Sequence, residues 1–485
     1  MRARYPDHEG FVERDGVTLY WAGRFSPPER GEVFAGAMGG GLLTLEGSGH
    51  GPYARDPVRV NRAIADFVGV PARLRQTWRR AAARRAPRAL FISSPIGLGH
   101  VQRDLTIARE LRRLAPALEI DWLAQHPVTA VLEAAGERIH PMSRHLASES
   151  AHWEQAAGEH ELHCFMAWRE MDEILLANFM VFLDTVRETP YDLWIGDEAW
   201  EVDYYLHENP ELKTAPFVFL TDFVGWLPMP DGGEREAFLT ADYNAEMLEQ
   251  VTRYPRVRDR AIYIGDYADL VPERFGPGLP LISDWARGHF SAVGYITPFD
   301  LADYADTRAL RVRLGYDPDR PLVIYAVGGT GVGQHLLRKA IEAWPLIYQE
   351  RPDAQCVAVA GPRIDPARLP RYEGLEARPY VHNLYEHLAA ADLGIVQGGL
   401  GTTMELAANR RPFIYVPLRN HCEQVYHVAH RLDYHRAGRR LDYADISADT
   451  LARVALETMG ADTSRYKPHD PHGAGRAAAL IAELL

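Results

Sequence analysis

The 485-residue sequence predicts an α/β protein of two Rossmann-like domains facing each other across a cleft, with a short N-terminal appendage. Three observations predict it. The chain is longer than the size at which a single hydrophobic core stops growing, so two large domains are expected. At PRALFISSPIGLGH an apolar strand runs into a glycine-rich turn and then a helix, which opens a strand-helix-strand unit of a parallel sheet. The same succession returns in the second half of the chain at RPLVIYAVGGTGVGQHLLRKAIEAW.

Composition narrows the function classes. Hydrophobic residues at 47% and charged residues at 25% are ordinary for a globular enzyme. A net charge of -13 argues against general nucleic-acid binding, which draws on clustered Lys and Arg, but leaves room for a small anion held at a helix N-terminus. Cys164, Cys356 and Cys422 are widely spaced and form no CxxC pair or metal pattern, so a reducing compartment is expected. MRARYPDHEG does not resemble a signal peptide, and no apolar run reaches the ~18 to 20 residues of a membrane span. A cytoplasmic location is the expectation.

Taken in order, residues 1–70 form the appendage and residues 71–88 an arginine-rich linker. The stretch 72–88 carries seven arginines and no acid, which fits a solvated helical linker or peripheral contact with an anionic membrane surface. The first Rossmann-like domain spans 89–297. Its first helix places Leu105, Ile107, Ala108, Leu111 and Leu114 at helical spacing, and LEIDWLA, YDLWIGD and APFVFLTD read as further strands. Residues 226–320, rich in Pro, Gly, Asp and Tyr, read as the end of that domain and a connection, with the linker proper at 298–319. The second domain spans 320–465 and a C-terminal helix lies within 466–485.

The residues able to carry chemistry sit at the strand ends. Gly398-Gly399-Leu400-Gly401-Thr402-Thr403-Met404-Glu405 lies between a strand and a helix, where glycines admit a ligand to the backbone and free N–H groups suit a pyrophosphate. Thr402 and Glu405 also have the spacing of a capping box, which needs no ligand. In the first domain His100 follows Gly97 and Gly99. An imidazole there suits removal of a proton from a hydroxyl near pH 7, with Asp197 at the end of YDLWIGD to orient it. Glu198 and Asp222 are alternatives for that acid, and Arg103 fits either a phosphate or an ion pair.

From Gly398 through Arg411-Pro412, FIYVPL and Arg419-Asn420-His421-Cys422-Glu423-Gln424, the chain resembles the donor-binding half of two-domain (GT-B) nucleotide-sugar glycosyltransferases. That family includes macrolide and plant glycosyltransferases and the peptidoglycan N-acetylglucosaminyltransferase. The resemblance, covering about residues 88–485, implies a cytoplasmic, metal-independent, inverting hexosyltransferase with no permanently bound cofactor, whose donor is a UDP or dTDP sugar and whose acceptor is a small natural product or a lipid. It implies that Gly399, Gly401 and Thr402 hold the donor pyrophosphate, Glu405 the ribose, and Glu423 and Gln424 the transferred sugar. It assigns Gly329 and Thr330 to the donor, and the backbone at Val381 to the base. His100 and Asp197 fall on the pair that activates the acceptor. Gln397 departs from the family, many of whose members have a phosphate-contacting histidine at this place. Asp317-Pro318-Asp319 lies in a turn and is assigned a local role.

Residues 1–70 resemble a truncated α/β hydrolase, with opening strands and a closing histidine loop around His50 but no G-x-S-x-G elbow anywhere in the chain. Three rival functions stay open from the residues. A nucleotide-sugar 2-epimerase shares the fold, and a non-catalytic glycan- or partner-binding protein would keep the same donor residues. A dinucleotide oxidoreductase would use Gly97, Gly99 and Asp121, but has Gln102 where the third glycine belongs. Phe165, Trp168, Phe179, Trp153 and Trp226 fit either an acceptor pocket or the core.

Overall fold

The computed structural model describes residues 85–329, 331–468, 470 and 472–485, the backbone of the strands His8–Arg14, Val17–Gly23 and Leu42–Thr44, and residues 36 and 60. Those three N-terminal strands form an antiparallel sheet with His8–Arg14 in the middle. His50, Thr330 and most of the arginine-rich linker lie outside the described residues.

Two parallel sheets organise the rest. The first orders its strands Ser291–Ala292, Arg260–Tyr263, Phe217–Thr221, Leu193–Asp197, Arg88–Ile92, Glu119–Leu123, Arg138–Ile139. The second orders them Leu375–Arg378, Gln355–Val359, Leu322–Ala326, Leu393–Gln397, Phe413–Val416, Arg439–Arg440. The central strands are unbroken apolar runs, such as FVFLT and LVIYA, because both faces of a parallel sheet are covered by helices. In each sheet the strand order reverses once, and the crevice at that reversal is where open α/β sheets bind ligands. In the first sheet it falls between Arg88–Ile92 and Leu193–Asp197, whose ends carry the His100 turn and Asp197. In the second it falls between Leu322–Ala326 and Leu393–Gln397, whose ends carry the two glycine turns.

The last helix, Gly473–Ala482, returns to the first domain, where Ala474, Ala477, Ala478 and Ile481 share a core with Val101, Leu105 and Ala108 of the helix Leu98–Leu114. No helix among the described residues is long and apolar enough to cross a membrane.

One expectation is corrected and one is filled in. The stretch 226–320, read as the end of the first domain and a connection, contains a 21-residue helix, Gly233–Arg253, and the strand Arg260–Tyr263. The helix was hidden because its buried face includes Glu236, Thr240 and Asn244; Asn244 bonds the backbone of Trp226 and Phe275. The capping box at Thr402 and Glu405 is also absent. The helix Leu400–Ala408 starts at the N-cap Gly399, with no side-chain cap, so Thr402 is already inside it.

Candidate active site

The two crevices meet in one cavity of about 240 Å³. Its walls include His100, Gly329, Val381, Gly399, Gly401, Thr402, Glu405, Glu423 and Gln424, so every described candidate except Asp197 faces the cleft, and Asp197 stands directly behind His100. Gly99 and Gly401 are packed against each other across the cleft: a Cβ on Gly401 would lie 3.4 Å from the Gly99 Cα, and one on Gly329 would lie 2.9 Å from Leu98. These glycines therefore serve the approach of the domains. Gly399 has open space where its side chain would be, on the ligand side of an uncapped helix start.

Around His100 the structure builds a charged cluster. The ring Nδ1 lies 2.9 Å from Asp197 Oδ2, which orients the opposite nitrogen, Nε2, away from the carboxylate. Arg103, one helical turn on, pairs with both Asp197 and Asp222, and one of its nitrogens also lies 2.8 Å from His100 Nδ1. With the guanidinium hydrogens committed to the two aspartates, Nδ1–H donating to Asp197 is the arrangement that satisfies most partners. Burial and Arg103 oppose a proton on His100, but Asp197 and Glu198 prevail and the imidazole is raised to about 9. Asp197, against the cost of burial, is held at about 2 by Arg103 and His100. Glu198 is pushed up to about 8, first by burial and then by Asp222.

Ligating atoms of His100, Glu198 and Asp222 lie within 4.8 Å of one another. Arg103 already supplies a cation to Asp222 there, and Glu198 accepts from the Thr221 hydroxyl. Arg103, 7% exposed, is engaged in these ion pairs and also lines the cavity.

The donor-side residues are less committed. Glu405 lines the cavity from the second turn of its helix, and burial raises its carboxyl to about 8. Gln424 Oε1 accepts from the Leu418 amide at 2.9 Å, which leaves its NH2 group for the cleft. Glu423 is raised by burial and by Asp222. Both sit in a π-helical turn, Glu423–Val428, of the kind found at functional sites. That turn is docked on the first domain: Tyr426 donates to the Pro228 carbonyl, and His427 Nε2 lies 3.1 Å from the Gly225 carbonyl. Arg431, fully buried one turn later, donates to the Asp222 carbonyl and to Tyr263.

Several sequence readings find other places. Phe165, Trp168, Phe179 and Trp226 are buried in the first-domain core, and of the five aromatics only Trp153 also lines the cavity. Asp121 is engaged away from the cleft by Arg88, Arg138 and the Tyr191 hydroxyl. Asp319 pairs with Arg308, and Asp317 accepts from the Asp319 amide. Residues 295–298 and Ile264 line the cavity without any motif to announce them.

Residues 323–484 match the model of the glycosyltransferase family 28 C-terminal domain. An uncharacterized glycosyltransferase of Methanopyrus kandleri is 29% identical over 177 residues, 36% of this chain and 49% of the relative. A UDP-N-acetylglucosamine--N-acetylmuramyl-(pentapeptide) pyrophosphoryl-undecaprenol N-acetylglucosamine transferase of Carboxydothermus hydrogenoformans is 31% identical over 163 residues, 32% of this chain and 43% of the relative. The matches thus span about half the length of these relatives or less. Among solved structures, Arabidopsis thaliana UGT89C1 complexed with UDP has a TM-score of 0.51 at 14% identity, covering 81% of this chain and 94% of that one. The glycotransferase of kitacinnamycin has a TM-score of 0.50 at 16% identity, covering 82% and 95%. Residues 323–484 are thus similar to a glycosyltransferase family 28 C-terminal domain, within a chain that has the two-domain GT-B fold.

Proposed function

We propose that the protein transfers a sugar from a nucleoside diphosphate donor to a hydroxyl acceptor, with His100 as the base. The observation that carries this reading is the pairing of His100 and its buried aspartate on one wall of the cleft with an uncapped helix start, Glu405, Glu423 and Gln424 on the other. A hydroxyl is a poor nucleophile, so its proton must be taken as the anomeric carbon is attacked, and Nε2 is the nitrogen left for it. Asp197 stabilises the imidazolium that forms. Charge growing on the leaving diphosphate meets the free N–H groups that start the helix Leu400–Ala408. The Glu405 carboxyl group suits the paired hydroxyls of a ribose.

UDP and dTDP sugars are the donors proposed, in keeping with the resemblance of residues 398–424. The acceptor is a small hydroxylated apolar molecule or a lipid, since Ile96, Leu98, Trp153, Leu162 and Val332 give the cavity apolar walls.

Thermal unfolding with UDP, dTDP, GDP, ADP and NAD tests the donor side. One nucleoside diphosphate at ~100 times its dissociation constant stabilises the protein by about 2.7 kcal/mol, and Glu405→Ala loses that shift. A shift with NAD alone overturns the reading.

The pH profile tests the base. His100 must be neutral to accept a proton, and its pKa is raised to about 9, so kcat/KM rises with pH to about 9 and then levels. Asp197→Asn removes a charge that holds the proton on the ring and moves this limb to lower pH. A profile flat from pH 6 to 10 would sink the assignment.

A further inference from the structure

Cys164 and Cys422 are far apart in sequence and belong to different domains, yet they touch. Cys164 opens the helix Cys164–Arg169 in the first domain, and Cys422 is the residue before the π-helical turn that carries Glu423 and Gln424. Both thiols are free and buried. The Cys422 amide donates to the Cys164 sulfur at 3.0 Å, and the Leu227 amide donates to Cys422 Sγ at 3.3 Å. Cys356, by contrast, is part of the strand Gln355–Val359 and lies in the core of the second domain.

The surroundings favour chemistry at Cys164. Burial opposes its thiolate, but Cys422 and His421 prevail and hold the thiol well below its ordinary range. A thiolate is the form that attacks peroxides and disulfides. Neither cysteine lines the cavity, but their sequence neighbours Leu162, His421 and Glu423 do, so the pair lies one residue layer behind the cleft wall. Just before Cys164 and Cys422 in sequence the domains are already laced together: the Leu162 amide donates to the Arg419 carbonyl, the Arg419 amide to the His160 carbonyl, and Arg419 and Asn420 both bond Glu161.

We propose that Cys164 and Cys422 are an oxidation site whose disulfide locks the two domains together and stops turnover. The oxidant is a peroxide. The Cys164 thiolate attacks it, the O–O bond breaks, and Cys164 becomes a sulfenic acid while one oxygen leaves as water. The Cys422 sulfur then attacks Cys164, the S–S bond forms, the S–O bond breaks and a second water leaves. Two electrons pass from the two sulfurs to the peroxide, and a dithiol reverses the change. The bond fixes the turn carrying Glu423 and Gln424 to the first domain, so the donor site no longer opens to exchange nucleoside diphosphate for fresh donor.

Treatment of the full chain with hydrogen peroxide, followed by non-reducing proteolysis and mass spectrometry, reads the bond directly. The expected product is a peptide pair joined through Cys164 and Cys422 that disappears with dithiothreitol. This arm is independent of the transferase reading. The activity arm rests on that reading: turnover falls at least tenfold on oxidation and returns on reduction. Cys164→Ser and Cys422→Ser each abolish the crosslink and the sensitivity, so either serves if the other fails to fold, whereas Cys356→Ser responds as the natural chain does. Absence of the joined peptides, or peroxide inactivation undiminished in both serine variants, overturns the proposal.

Discussion

His100→Ala lowers kcat by about 10² to 10⁴, which is some 3 to 5 kcal/mol of transition-state stabilisation, and leaves nucleoside diphosphate binding nearly intact. The two halves of this result come from the architecture. His100 stands on the first sheet's crevice and the base function proposed for it is felt only as the acceptor proton moves, whereas the donor candidates stand on the second sheet's crevice. A variant that loses kcat but keeps the thermal shift with its diphosphate therefore separates acceptor activation from donor binding. His100→Ala that loses both has lost domain approach, because His100 follows the Gly99 turn packed on Gly401. A variant that keeps full kcat shows that another group takes the proton. Glu198, pushed up to about 8 and within reach of the same wall, is then the first to test.

Much of this site is legible in the sequence because it hangs on strand ends. FISSPIGLGH, YDLWIGD and LGIVQGGLGTTME each announce a buried strand followed by the residue that matters, and the parallel sheets bring those ends together. What the sequence conceals is chosen by tertiary partners. Thr402 and Glu405 have capping-box spacing, but the helix starts at Gly399, and no local rule distinguishes the two starts. The helix Gly233–Arg253 buries Glu236, Thr240 and Asn244, whose polar groups are satisfied by loop backbones far away in sequence, so hydrophobic periodicity under-reports it. Arg103 sits on a helix where an i,i+4 ion pair would be ordinary, and its partners come instead from the ends of two strands. Trp226 contacts both Trp168 and Phe165 in the core, although their composition alone also fits a ligand pocket.

Arg103→Met destabilises the protein by about 3 to 5 kcal/mol, the cost of leaving buried charges without their partner. Arg103 is the cation between Asp197, with no exposure, and Asp222, at 4%. Methionine fills most of the volume of the arginine stem, so the loss measures charge more than packing. The effect has a defined pH dependence. Asp197 and Asp222 are both held below the ordinary carboxylate range in the folded protein, Asp197 at about 2. Depressed carboxyls contribute stability that is fully present above the unfolded value, near 3.9, and is lost as the pH falls towards 2. The gap between Arg103→Met and the natural chain is thus widest from pH 5 to 8 and narrows as the solution is acidified. Adding Asp222→Asn to Arg103→Met removes one of the stranded charges and recovers part of the loss. Urea midpoints at pH 7 and pH 3, with unchanged slopes, measure all three quantities. A loss below 1 kcal/mol at pH 7, or one that does not shrink on acidification, would show that the cluster is not ionised as its geometry requires, and the support that Asp197 gives to His100 would fall with it.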